Sequence, residues 1–181
     1  KPEEFKLKAD KKIVNDILFI SDMNQVMVFS SYGDGKSGNK DIFMSRRLPT
    51  GGWGTPENIG SPVNTTYDED YPFLLPDGKT LFFSSKGHNS MGGYDIFKSY
   101  FNDEIGEWSI PVNMDFAINT PFDDILFASN TEQEFAMFSS NRTNVDGTIT
   151  IYKVRIDVRP KETLELQLVP LAANTQDAQY Q

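Results

Sequence analysis

The chain has 181 residues, 38% of them apolar and 13% aromatic, which is enough to build a packed core. Seventeen basic against 26 acidic residues leave a net charge of -9, which works against phosphate backbones and anionic lipid, so no nucleic-acid partner is expected. With no cysteine and a single histidine, His88, the sequence offers no disulfide, no thiolate nucleophile and no His-pair metal site, and no apolar run approaches the ~20 residues of a transmembrane helix.

Taken along the chain, residues 1–12 read as a lead-in, in the place where a preceding unit would end. A first repeat, 13–69, carries Asp16, Phe19, Phe29-Ser30-Ser31, Asp41-Ile42-Phe43, Trp53-Gly54-Thr55-Pro56-Glu57-Asn58 and Asn64-Thr65. A second, 70–123, carries Asp70, Phe73, Phe83-Ser84-Ser85, Asp95-Ile96-Phe97, Trp108-Ser109-Ile110-Pro111-Val112-Asn113 and Asn119-Thr120 in the same order. The third, 124–160, keeps Asp124, Phe127 and Phe138-Ser139-Ser140, with Thr150-Ile151-Tyr152 where Asp-Ile-Phe stood, and lacks a Trp-bearing fourth strand. Asp16, Asp70 and Asp124 are 54 apart, and the Phe-Ser-Ser motif recurs at offsets of 54 and 55. Residues 161–181 read as a strand and tail leading toward a following domain, with Thr163–Pro170 as the strand.

Within the second repeat the periodicity is that of strands. Residues 71–75 form a short apolar run closed by the turn Pro76-Asp77-Gly78-Lys79, in which Pro fixes φ and Gly accepts a positive φ. A second strand is predicted over 80–85, a Gly-rich loop over 87–93, a third strand over 94–100 and a fourth over 108–114. No segment shows a sustained helical period. Four antiparallel strands that cannot bury both faces alone must stack on copies of themselves, and radial stacking of such units predicts an all-β fold of β-propeller type.

The run Leu75-Pro76-Asp77-Gly78-Lys79-Thr80-Leu81-Phe82-Phe83-Ser84-Ser85, followed by Gly92-Gly93-Tyr94-Asp95-Ile96-Phe97, Trp108 to Asn113, Ile118-Asn119-Thr120-Pro121 and Asp123-Asp124, resembles the TolB-type propeller repeat. In particular it resembles the version in OmpA-family cell-envelope proteins of Gram-negative bacteria, including the propeller-bearing component of the type IX secretion apparatus. The first and third repeats depart from the pattern, with Met23-Asn24-Gln25 and Glu132-Gln133-Glu134 in place of the Asp-Gly-Lys turn. The resemblance implies six blades, so about three present here would be half of a ring. It also implies a location in the periplasm or at the outer membrane, other envelope proteins as partners, and a link to peptidoglycan through an OmpA-like domain outside this sequence.

No catalytic residue is predicted. The Ser-Ser pairs recur in every repeat, as structural residues do, and His88 sits in a Gly/Ser-rich loop with no carboxylate fixed beside it. Asp16, Asp70 and Asp124, at the starts of successive repeats, form the candidate site: a ring of acids near the axis would hold a hard cation or attract a basic partner. No cofactor is expected, a structural Ca2+ being the ion such acids or the loop Asp34–Asp41 would take. Asp41, Asp95, Gly93, Trp53, Trp108, Pro76, Asp77 and Gly78 are expected as structural anchors, with Gly93 needing a positive φ. Function then divides between a non-catalytic envelope interaction module and the scaffold of a carbohydrate- or peptide-acting hydrolase whose chemistry lies in other sequence.

Overall fold

The computed structural model describes residues 18–20, 25–33, 38–143 and 147–156; the lead-in 1–12, Asp16, Met23 and Asn24 of the first repeat's turn, the first half of the loop Asp34–Asp41 and the segment 161–181 lie outside the described residues. All the regular structure among the described residues is β, in three antiparallel sheets that follow the chain. Blade 1 contains β1 (Leu18–Ile20), β2 (Val26–Ser31), β3 (Asp41–Arg46) and β4 (Glu57–Asn58), in that spatial order. Blade 2 contains β5 (Glu69–Leu74), β6 (Thr80–Ser85), β7 (Asp95–Asn102), β8 (Glu107–Trp108) and β9 (Val112–Asn113); both β8 and β9 pair with β7. Blade 3 contains β10 (Asp124–Ser129), β11 (Phe135–Ser140) and β12 (Thr150–Arg155).

The second strand of blade 2 coincides with the predicted one, and its turn is built as the residue types require. Asp77 Oδ1 accepts the N–H groups of Lys79 (2.8 Å) and Thr80 (2.9 Å), its Oδ2 accepts the Thr80 hydroxyl (2.6 Å), and Gly78 has φ +68°. Burial opposes the Asp77 charge, but these donors outweigh it and hold the carboxyl below its ordinary range. The predicted fourth strand is broken in two. Pro111 has no N–H to give the ladder, so pairing lapses between Trp108 and Val112, and the Ser109 N–H reaches Tyr100 O (2.7 Å) across the gap.

Strand faces alternate, and apolar side chains on both faces of blade 2 are buried. Val26, Val28 and Ile42 of blade 1 meet Leu81, Phe83 and Phe97 of blade 2, while Phe82 and Ile96 on the other face of blade 2 meet Phe127, Ala136 and Phe138 of blade 3. Each of the Leu, Ile and Phe side chains among these contributes ~1.5–3 kcal/mol of burial free energy, so the blades hold one another together. The first strands of neighbouring blades touch, β1 with β5 and β5 with β10. At the outer margin, by contrast, a groove of about 560 Å³ opens between blades 1 and 2, lined by Met44, Arg46, Leu48, Phe101 and Trp108. The blades therefore converge at their first strands and diverge outward, the arrangement of a propeller.

Candidate functional site

The starts of β5 and β10, where one blade hands over to the next, gather most of the buried charge. Both strands carry a bulge, with Tyr71 at φ 52° and Leu126 at φ 58°. These two residues are 55 apart, as are the pairing partners Ser85 and Ser140, so the structural offset from blade 2 to blade 3 is 55 throughout. This corrects the spacing of 54 read from the acids. Asp124 stands where blade 2 has Glu69, and Asp70 stands where blade 3 has Ile125.

Glu69 and Asp124 do the same work. Glu69 accepts the N–H and hydroxyl of Thr65 (2.8 and 2.7 Å) and the Ser85 hydroxyl (2.7 Å); Asp124 Oδ2 accepts the N–H and hydroxyl of Thr120 (2.6 and 2.8 Å). Asp124 Oδ1 also pairs with Arg142 (2.6 Å), whose guanidinium lies over the rings of Phe138 and Tyr152. Both acids are fully buried. Glu69 has no such cation, and burial raises its carboxyl above the ordinary range despite its donors.

Asp70 belongs to a different cluster. Its Oδ2 pairs with Lys40 Nζ at 2.7 Å, and its Oδ1 accepts the Ser30 hydroxyl and the Tyr71 N–H (2.9 Å), tying blade 1 to blade 2. At the next interface the corresponding residues are Tyr94, Ile125 and Ser84. Because Ile125 offers no acceptor, the buried Ser84 hydroxyl has no hydrogen-bond partner, whereas Ser30 has Asp70. The structure thus places Asp70 and Asp124 at neighbouring blade starts but closes each on its own cation, and the described residues contain no group of three or more Asp, Glu or His set to hold a metal ion.

The anchors take structural positions. Asp41 accepts from Asn58 Nδ2 (2.8 Å), and Asp95 Oδ2 accepts the Met91 N–H (2.5 Å), while Asp95 Oδ1 is buried without a partner. Burial raises the carboxyl of each, and Asp124 adds to the rise at Asp95. Trp108 is buried against Phe101 (5.3 Å, edge-on), and Trp53 lies under Arg47 (5.1 Å). Gly93 needs correction in its reason, since its φ is not positive: a Cβ there would fall 2.0 Å from Asp123 Oδ1, and one at Gly92 would fall 2.3 Å from the Pro121 carbonyl carbon. His88, at φ 56°, turns its ring onto Phe83 and Phe97, with Nε2 3.1 Å from Val63 O; burial of the ring lowers its basicity.

Two surface residues escaped the sequence reading. Tyr67 and Phe122, 55 apart, hold the same place in the two linkers between blades, each directly before an acid, Asp68 or Asp123, whose Oδ1 accepts a backbone N–H from the preceding blade (Lys40, 3.0 Å; Tyr94, 2.9 Å). They are 58% and 50% exposed. The Asn-Thr pair just upstream of each, in register at an offset of 55, is the signal that would have aligned them.

No family model matches the chain, and no curated protein matches it. Among solved structures it is similar to the crystal structure of TolB from Acinetobacter baumannii, with a TM-score of 0.50 and 16% sequence identity over 79% of this chain and 30% of that one. The likeness establishes a TolB-like propeller fold, and the chain spans less than a third of that structure's length.

Proposed function

We propose that the chain is a non-catalytic protein-interaction module of a bacterial cell envelope, within or facing the periplasm, that helps to scaffold a larger assembly. The observation that carries this reading is the pair Tyr67 and Phe122: large aromatic side chains, solvent-exposed, repeated blade after blade beside an acid at the same end of the fold. Tyr and other aromatic residues are enriched at interfaces, and a few such side chains carry most of the energy of binding. The net charge of -9 favours a basic partner, while Asp70 and Asp124 themselves are occupied by Lys40 and Arg142. The type IX secretion apparatus and peptidoglycan-linked envelope assemblies are the settings that the repeat's resemblance suggests.

The test is site-directed photocrosslinking in the envelope of the source bacterium, with the photoreactive residue at position 67 or 122 and, as control, at Ile105, which is 66% exposed on the outer hairpin of blade 2. A discrete product from 67 and 122, absent from 105 and weakened by added salt, is expected. The same products from all three positions, or none from 67 and 122, would overturn the reading.

A further inference from the structure

The loop between β6 and β7 of blade 2 closes on the carboxyl of Asp95, which is 0% exposed. Its Oδ2 accepts the Met91 N–H (2.5 Å) and Asn113 Nδ2 (3.3 Å), but its Oδ1 has no hydrogen-bond partner. Buried carboxylate oxygens are nearly always paired, because a desolvated negative charge with neither donor nor cation is costly. The loop adds acceptors here rather than donors. Ser90 lies close enough to favour the Asp95 charge, yet its hydroxyl donates to Gly93 O (2.9 Å) and stands 3.4 Å from Gly92 O, so its hydrogen is spent on the backbone and its lone pairs remain.

Four oxygens thus gather with no hydrogen left to serve Asp95 Oδ1: that oxygen, Ser90 Oγ and the carbonyls of Gly92 and Gly93. A hard cation bonds such a set directly, at ~2.4 Å from each oxygen, which sets neighbouring ligands about 3–3.5 Å apart. The Ser90 Oγ separations of 2.9 and 3.4 Å lie close to that spacing. Asp124, whose charge also reaches Asp95, is neutralised by Arg142 (2.6 Å), whereas no described cation pairs with Asp95. In sequence the loops 31–41, 85–95 and 140–150 are equal in length; Lys36 takes the place of Ser90 in the first, and Thr150 takes the place of Asp95 in the third. Only the middle loop combines the acid with a hydroxyl at these two positions.

We propose that Asp95 Oδ1, Ser90 Oγ and the carbonyl oxygens of Gly92 and Gly93 form a Ca2+ site in blade 2, with water completing the shell. It is distinct from the blade-start acids, since Asp70 and Asp124 are closed on Lys40 and Arg142, and from the loop Asp34–Asp41. One carboxylate among neutral oxygens makes a weak site, with a Kd of ~10⁻⁴–10⁻³ M. The ion would stiffen the loop on which the next linker rests, where the Tyr94 N–H donates to Asp123 Oδ1 (2.9 Å). The site stands independently of the partner-binding reading above.

The experiment is calorimetric titration of the EGTA-stripped protein with Ca2+, together with its Tm in EGTA and in about 10 mM Ca2+. Binding lost on Asp95→Asn, and a Tm that rises by roughly 3–10 °C with Ca2+ in the parent but not in the variant, are expected. Ser90→Lys places in the loop the residue that blade 1 carries at that register, and its ammonium should take the ion's place; it carries the test should Asp95→Asn fail to fold. Its Tm in EGTA should equal or exceed the parent's and should not respond to Ca2+. No heat of binding with equal Tm in EGTA and Ca2+ would overturn the proposal. So would binding that persists in both variants, as an ion in the loop Asp34–Asp41 would give. An equal rise with Mg2+, which marks general screening of the -9 charge, would overturn it too.

Discussion

Replacing Lys40 by Met keeps most of the stem's packing and removes the charge, which leaves Asp70, only 3% exposed, without its cation. Removing one member of a buried ion pair costs ~3–5 kcal/mol, because the remaining charge is neither solvated nor paired. For a chain of this size each kcal/mol moves Tm by ~2–4 °C, so Lys40→Met should lower Tm by roughly 6–20 °C. The double variant Lys40→Met/Asp70→Leu should recover to within ~1 kcal/mol of the starting protein or exceed it, since an apolar replacement of such a pair is often neutral or better. The second interface supports this outcome: with Ile125 where Asp70 stands, it packs without any charge at that position. Urea denaturation with matched m-values measures both free energies. A single variant within ~1 kcal/mol of the parent, or a double variant no better than the single, would refute the account. The pair also has a pH signature. Burial works against the Lys40 charge, but the bond to Asp70 and its charge raise the ammonium above its ordinary range. That contribution should be complete below the unfolded Lys value, about pH 10, and should be lost as pH climbs through the folded one.

Three further outcomes follow from the same geometry. Ser84→Ala, which deletes a buried hydroxyl with no partner, should be neutral or stabilising, whereas Ser30→Ala, which strips a bond from a buried carboxylate, should cost ~1–3 kcal/mol in the same denaturation assay. Gly92→Ala should destabilise by ~1–3 kcal/mol, and more than Gly93→Ala, because its Cβ meets the Pro121 backbone while that of Gly93 meets an Asp123 carboxylate that can swing aside; equal Tm values would contradict this. Asp95, raised by burial and by Asp124, binds its proton more tightly folded than unfolded, so its contribution falls as pH rises above the ordinary carboxylate range near ~4. Asp95→Asn should therefore flatten the decline in stability as pH rises above about 4, and an unchanged profile would show that the orphaned oxygen carries no titration.

Strand order and blade number were legible because the apolar alternation and the turn chemistry agree locally: Thr80 to Ser85 is a strand by composition, by pattern and by the Asp77-Gly78 turn before it. The broken fourth strand was also legible in principle, since Pro111 cannot serve a ladder. The register of the blade-start acids was not legible, for a different reason. Asp70 and Asp124 share a residue type and a spacing of 54, but Asn64 to Asn119 and Phe83 to Phe138 are spaced by 55, and hydrogen-bond register follows the latter. One residue of slip in a strand changes which face a side chain serves, so a matched letter became a mismatched role. Gly93 shows a related limit: sequence marks a glycine without saying whether dihedral freedom or the approach of another segment demands it.

The unlike interfaces have a consequence for assembly. Blades of one repeat share shape and apolar pattern, and such modules are prone to pair with the wrong neighbour during folding. A neighbour that offered Tyr94 in place of Lys40 would bury Asp70 with no cation, so blade 2 discriminates by charge between blade 1 and a copy of itself. The Lys40–Asp70 pair should thereby act as an address that favours blade 1 over a copy of blade 2 as the neighbour. Purging both charges, as in Lys40→Met/Asp70→Leu, should leave stability intact while raising the yield of domain-swapped oligomers on refolding at high concentration; wholly monomeric refolding of that variant would dismiss the address.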